Sequence, residues 1–388
     1  MKHQLIFGLL NFFNCFILTS QEEEQIQNKD EGWSLYDELP EYNSTYDSDS
    51  TSAPCLLSVP GFNSLALMIV YFIVFVFSIV GNSVVIFVVC TMEKSRTSTD
   101  IYLMHLAMAD FLFCLALPFW AVDSHYGWVF GDFLCKLMSG FQEASVYCGV
   151  FLLACISVDR YFAIVRATRR LSSHHLVVKV ICGVVWLVAA VLSLPVAVKR
   201  ERMHGADLNQ DICYENLTGE SSEKWRISMR VLRHTVGFFL PLVVMAVCYS
   251  WTVVTLFHTR NHRKYKVIRV ILAVVLAFII CWLPHNVTVL VDTLMRGGSL
   301  QVGSCDTLYR VEMMLKVTQV LAFLHCAVNP VLYAFIGEKF RNQLLVALYK
   351  NGLISKRLLM SYRKNSLNSS VSFKSRNTSV SMSVAPDG

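Results

Sequence analysis

The amino-acid sequence predicts an all-α membrane protein: a seven-transmembrane helix bundle followed by a short amphipathic cytosolic helix. Composition is the first observation behind this. Of 388 residues, 54 % are hydrophobic and only 16 % charged, against about 25 % charged in soluble domains. The second is a set of seven apolar runs, roughly 62–90, 101–122, 135–165, 176–198, 227–257, 267–294 and 310–336. Each is long enough to cross a ~30 Å hydrocarbon core at ~1.5 Å per helical residue. Such runs must be helices, because backbone groups in hydrocarbon find partners only within a helix or in a closed barrel. The alternating ten-residue strands of a barrel are not seen. The third observation is the placing of Lys and Arg, taken up below.

Residues 1–20 read as a signal peptide: Lys2 and His3 precede an apolar stretch, Leu5 to Leu18, that is short for a span and ends at Ser20. Residues 21–60 form an acidic extracellular arm, with Glu22, Glu23, Glu24, Asp30 and Glu31 among its acids and too little apolar area to fold alone. Within it Tyr36, Tyr42 and Tyr46 stand among carboxylates, and Asn43-Ser-Thr is a glycosylation acceptor. The segment is either a solvated spacer or an anionic docking arm for a basic protein, to which tyrosine sulfation would add charge.

Residues 61–336 form the bundle. The loops after the first, third and fifth spans carry Lys94 and Arg96, then Arg166, Arg169 and Arg170, then Arg260, Arg263, Lys264 and Lys266. The loop after the second has neither Lys nor Arg. By the positive-inside rule the odd loops and the C-terminus face the cytosol and the N-terminus faces out. Eight of the 13 cysteines lie within spans and act as small apolar residues. Cys55, Cys135, Cys213 and Cys305 fall in four outer segments, an even set in an oxidising space, with three pairings open to it. Asn216-Leu-Thr in an outer loop is a second glycosylation acceptor.

After the last span, residues 337–350 place Phe340, Leu344 and Leu348 four apart among basic residues, the pattern of a helix on the inner membrane surface. It has no cysteine for palmitoylation. Residues 351–388 are a Ser/Thr-rich tail of disordered composition, in which phosphorylation would replace positive charge with dense negative charge.

Charge at mid-membrane is costly, so each intramembrane charge is a candidate for function. The sequence reading takes Asp110 as the only carboxylate deep in a span, with Asn82 and Asn329 as hydrogen-bond partners if their helices adjoin. Asp159 and Arg160 fall at the cytosolic end of the third span, towards which Tyr249 and Tyr333 also point. Pro284 and Pro330 each remove a backbone donor and bend a helix. There is no nucleophile elbow, metal-ligand cluster or phosphate loop, so neither an enzyme nor a nucleic-acid binder is expected.

Taken together and in order, "GNSVV", "LAMAD", "DRYFAIV", "CWLP" and "NPVLY" make the chain resemble the rhodopsin-like G protein-coupled receptors. The resemblance implies an activation switch at Asp159, Arg160 and Tyr161, with Trp282, Pro284, Asn329 and Pro330 in the moving helices and Tyr249 and Tyr333 stabilising the open form. Gln142 and Phe323 exclude the amine receptors and the opsins. "LALPFWAV", "GWVFGDFLCK", "WRISMRVLRHTVGFFLP" and "DTLMR" are similar to the CXC chemokine receptors, nearest the interleukin-8 receptor subgroup. That family implies disulfides Cys135–Cys213 and Cys55–Cys305. It also implies contact with Glu-Leu-Arg chemokines by Arg226, Arg230, Asp292 and Arg296 and by the tyrosine arm. Lys316 and Gln319 stand where the subgroup has acids, and Arg233 adds a charge outside the pattern. The family's sodium site keeps Asp110 and Asn329, while Gly149 supplies no hydroxyl.

The expectation is therefore a plasma-membrane receptor that binds a CXC chemokine, activates an inhibitory-type heterotrimeric G protein and promotes leukocyte chemotaxis. Membrane lipid surrounds it, and its tail meets arrestin and a receptor kinase. The alternatives are a scavenger that takes up chemokine without signalling, against which Asp159-Arg160-Tyr161 stands intact, and a transporter or channel. Seven spans without a repeat weaken the latter.

Overall fold

The computed structural model describes residues 63–92, 96–166, 175–205, 210–215, 222–259, 262–296, 300 and 305–362. Tyr36, Tyr42, Tyr46, Asn43, Cys55 and Asn216 lie outside these residues, as do the side chains of Arg296 and Cys305. Seven helices are long and apolar enough to span: Ser64–Thr91, Ser98–Tyr126, Gly131–Ile164, His175–Lys199, Trp225–Thr255, Ile268–Met295 and Asp306–Ile336. Each coincides with one of the apolar runs.

Local chemistry sets the first two starts. Asn63 accepts from the Ala66 N–H at 3.0 Å. Thr97 and Asp100 form a reciprocal capping box, each side chain taking the other's backbone N–H. The first span then turns Phe72, Val76, Phe77 and Val80 outward and Tyr71, Val74, Ser78 and Asn82 inward. With lipid as apolar as the core, helices are held by close backbone approach and by polar contacts. Gly81 supplies the first, since a Cβ there would stand 2.8 Å from both Cβ and Cγ of Pro330. Asn82 supplies the second. Pro330 has no N–H for the carbonyl one turn back, that of Cys326, and Asn82 Nδ2 donates to that carbonyl at 2.9 Å. Its other bond goes to the Ser78 carbonyl, so Asn82 does not reach Asp110 as the sequence suggested. The carbonyl freed by the proline outcompetes the carboxylate.

The third span is the axis, burying Cys148, Leu152, Leu153 and Ile156 within the main core. The fifth contains a π-turn, Thr235–Phe239, between the helices Ser222–His234 and Leu240–Thr259. Pro241 follows at once and cannot donate to Gly237, which favours the wider turn.

The sequence reading did not anticipate a hairpin between the fourth and fifth spans. Strand β1, Arg200–Gly205, pairs antiparallel with β2, Gln210–Glu215, with Arg200 opposite Glu215 and Arg202 opposite Cys213. Cys213 is disulfide-bonded to Cys135 at the start of the third span. The Trp128 N–H donates to the Asp211 carbonyl at 2.6 Å. The neighbouring Gly127 has φ +75°, and a Cβ there would meet the same carbonyl at 2.8 Å, so only glycine lets the strand come so close.

Beyond the seventh span, Glu338–Lys350 is the expected short helix. The boundary of the tail needs correction: residues 356–362 are helical rather than disordered. Arg341 Nε donates to the Tyr362 hydroxyl at 2.8 Å, and Leu359 is buried.

Candidate functional site

Two clusters of charge lie at opposite ends of the bundle, joined by a polar and aromatic core. At the hairpin end, the fifth and sixth spans bring Arg230 and Asp292 together, with Nη1 to Oδ2 at 2.6 Å; Asp292 is buried and Arg230 about a quarter exposed. Both residues were expected at a ligand site, and the fold makes them one ion pair. Arg226, one turn before Arg230, stands over the Tyr214 ring of β2 with its guanidinium carbon 5.9 Å from the centroid, within cation–π range. Lys136 reaches Glu201 of β1 at 3.3 Å, so the hairpin is tied to the third span by charge as well as by the disulfide. In the hairpin itself, His204 and Arg202 beside Asp211 hold its carboxyl below the usual carboxylate range.

A second ion pair was missed. Glu143 of the third span bonds Arg233 of the fifth at 2.6 Å, and its side chain is as buried as that of Asp292. Asp110 is therefore not the only deep carboxylate. The signal was present in the sequence, where Glu143 stands twelve residues into the third span beside Gln142. Lys316 and Gln319 are partly exposed on the seventh span.

Below this pair the aromatic rings run inward. Trp282 lies beside Phe278, His285 and His325, with ring centroids 6.0, 6.3 and 5.3 Å away. His325 meets Asp110, Nε2 to Oδ1 at 3.5 Å, and Asn329 Nδ2 donates to the other oxygen at 2.7 Å. Asn329 thus pairs with Asp110 as predicted. That donor set does not fit a sodium ion: both carboxylate oxygens face protein nitrogens, and Gly149 brings no hydroxyl.

At the far end Asp159 holds its neighbour Arg160, whose Nε donates to Oδ2 at 3.1 Å. The Asp159 side chain is 5 % exposed and that of Arg160 14 %. Tyr249 and Tyr333 are buried, and among the described residues the Tyr333 hydroxyl finds no hydrogen-bond partner. Such a buried, unmatched hydroxyl marks an end of the bundle that is not fully satisfied in this arrangement.

A seven-helix membrane bundle with a capped, charged cup at one end and a paired arginine at the other is the architecture of a transmembrane receptor. The profile of the 7 transmembrane receptor (rhodopsin family) matches residues 81–333. The chain is 42 % identical over 349 residues to the C-X-C chemokine receptor type 1 of Oryctolagus cuniculus, covering 90 % of this chain and 98 % of the relative. It is 44 % identical to the Homo sapiens type 1 receptor over 323 residues, covering 83 % and 91 %. To the type 2 receptor of Oryctolagus cuniculus it is 44 % identical over 331 residues, 85 % of this chain and 91 % of that one. The chain belongs to the rhodopsin family of seven-transmembrane receptors and, within it, to the CXC chemokine receptors. It is a multi-pass plasma-membrane protein of a class that is not enzymatic.

Proposed function

We propose that the chain is a cell-surface receptor for CXC chemokines of the Glu-Leu-Arg type that activates an inhibitory-type heterotrimeric G protein and drives leukocyte migration. The hairpin end and the acidic arm face outside, and Arg160 and the C-terminal tail face the cytosol, in keeping with the positive-inside distribution of Lys and Arg. Arg230, Asp292, Arg226 and Arg296 receive the chemokine, and the Tyr36, Tyr42 and Tyr46 arm steers a basic ligand towards them. Cys55–Cys305 anchors that arm. Arrestin and a receptor kinase act on the tail. The observation that carries the signalling reading is the Asp159–Arg160 pair. A signalling receptor needs a group at its inner mouth that changes partners, and a scavenger does not.

The test is G protein activation in cells expressing the full chain, challenged with CXC chemokines with and without the Glu-Leu-Arg start. A response confined to Glu-Leu-Arg members supports the reading. A response to other members means that Lys316 and Gln319 have redirected selectivity, and uptake without activation establishes the scavenger instead.

A further inference from the structure

Between the third, fifth and sixth spans lies a cavity of about 30 Å³, lined among others by Glu143, Tyr147, Arg233, His234, Trp282 and Asn286. Its polar lining is only partly used. The Trp282 carbonyl accepts from Asn286 Nδ2 at 2.9 Å, which fixes the amide so that Oδ1 faces His234 Nδ1 at 2.7 Å. Because that oxygen only accepts, Nδ1 carries the hydrogen, and neutral His234 presents a bare lone pair at Nε2. His234 is 6 % and Trp282 5 % exposed. Neither His234 Nε2 nor Trp282 Nε1 has a partner among the described residues. Two unmatched polar atoms so deeply buried, one an acceptor and one a donor, leave this cavity with unused hydrogen-bonding capacity.

The asymmetry of the Glu143–Arg233 pair says which charge a group received there would carry. The Glu143 side chain is 5 % exposed and that of Arg233 44 %. A ligand anion that drew Arg233 away would strand a buried carboxylate, the costly way to break an ion pair. A ligand cation that replaced Arg233 on Glu143 would release a guanidinium already 44 % exposed, which its long stem can carry further from the carboxylate. The place it vacates has the size of a guanidinium. The lone pair of His234 also favours a cation.

We propose that Glu143 is the anchor of a subsite for a cationic ligand tip, an ammonium or a guanidinium, and that Arg233 is its resident counter-ion, displaced on binding. This rests on the receptor reading for the identity of the natural ligand, but the site itself is testable without that ligand.

Full-length receptor in lipid nanodiscs is melted with four probes: arginine amide, N-acetylarginine amide, citrulline amide and N-acetylcitrulline amide. A cationic probe raises the melting temperature of the wild type, raises it further in Arg233→Gln and has no effect in Glu143→Gln. The doubly neutral probe does nothing in any of them. Loss of the effect on acetylation assigns the site to an ammonium, and loss on conversion to citrulline assigns it to a guanidinium. Stabilisation that persists in Glu143→Gln, or its absence from Arg233→Gln, overturns the proposal. In parallel, each CXC chemokine that binds the wild type loses at least about tenfold in affinity in Glu143→Gln and less than about threefold in Arg233→Gln. The reverse order overturns the proposal in favour of an anionic tip. If no chemokine binds the wild type, the function proposed above fails, while the probes still decide the subsite.

Discussion

Removing the disulfide by Cys135→Ser/Cys213→Ser is expected to release the hairpin while leaving the helices in place. The sequence separation across the bridge is 78 residues, yet that is not the loop whose closure matters. The third and fourth spans stay inserted and packed, so the chain set free runs from Lys199 to Cys213, about 15 residues, for which loop-closure entropy is worth about 3 kcal/mol. At 1.4 kcal/mol per decade this allows up to about a 150-fold rise in the open population of the hairpin. The remaining ties are Lys136 to Glu201 at 3.3 Å, each about a third exposed, the Arg202 N–H to Asp132 Oδ1 at 3.2 Å at the surface, and the Trp128 N–H to the Asp211 carbonyl, and the charged ones are weak. Amide hydrogen exchange in nanodiscs checks this. Residues 200–215 should exchange on the order of 100-fold faster in the double variant, with the spans unchanged. Exchange within about threefold of wild type in that segment would refute the argument, because the charges and the Trp128–Asp211 contact would then suffice to hold it.

Three further outcomes are expected. Gly81→Ala places a methyl 2.8 Å from the rigid ring of Pro330 and should destabilise the bundle by about 1–3 kcal/mol, read as a lower melting temperature of purified receptor. Arg160→Ala should leave chemokine binding intact and abolish G protein activation, so undiminished signalling in that variant removes Arg160 from the switch. For pH, the depressed Asp211 carboxyl contributes order to the hairpin that is complete above the ordinary carboxylate range and lost as pH falls through its lower folded value. Accessibility of the hairpin to protease should therefore rise only in acid, below about pH 4, and Asp211→Asn should flatten that dependence.

The helices were legible because lipid leaves no choice: an apolar run of sufficient length is a span, and all seven runs are. Arg230 and Asp292 were legible one by one, but only the crossing of the fifth and sixth spans pairs them. The hairpin was not legible. "RERMHG" and "QDICYE" lack an alternating apolar face, and what orders them is a disulfide and charge pairs with partners far along the chain. Asn82 was assigned to the wrong acceptor because a carbonyl freed by a distant Pro330 leaves no trace in local sequence. Glu143 escaped notice although the run 135–165 already contains it; its pairing with Arg233 depends on how the third and fifth spans pack, which no local pattern shows.

The three arginine pairs on buried carboxylates share one feature that bears on how such a receptor works. Side-chain exposure is 5 % for Asp159 against 14 % for Arg160, 4 % for Asp292 against 26 % for Arg230, and 5 % for Glu143 against 44 % for Arg233. In each, a short carboxylate is fixed within the bundle, while the guanidinium on its flexible stem is the more exposed partner. Breaking any of them from the carboxylate side leaves a charge with nowhere to go; breaking it from the arginine side does not. At both ends of the bundle the arginine is thus the half that can leave. A partner that binds either end does so most cheaply by offering the carboxylate a new cation in the arginine's place. The same argument orders the three by ease of exchange, Arg233 first, Arg230 next and Arg160 last. The pair nearest the proposed ligand tip is then the first to yield, and the pair at the opposite mouth is the most resistant to opening without a ligand.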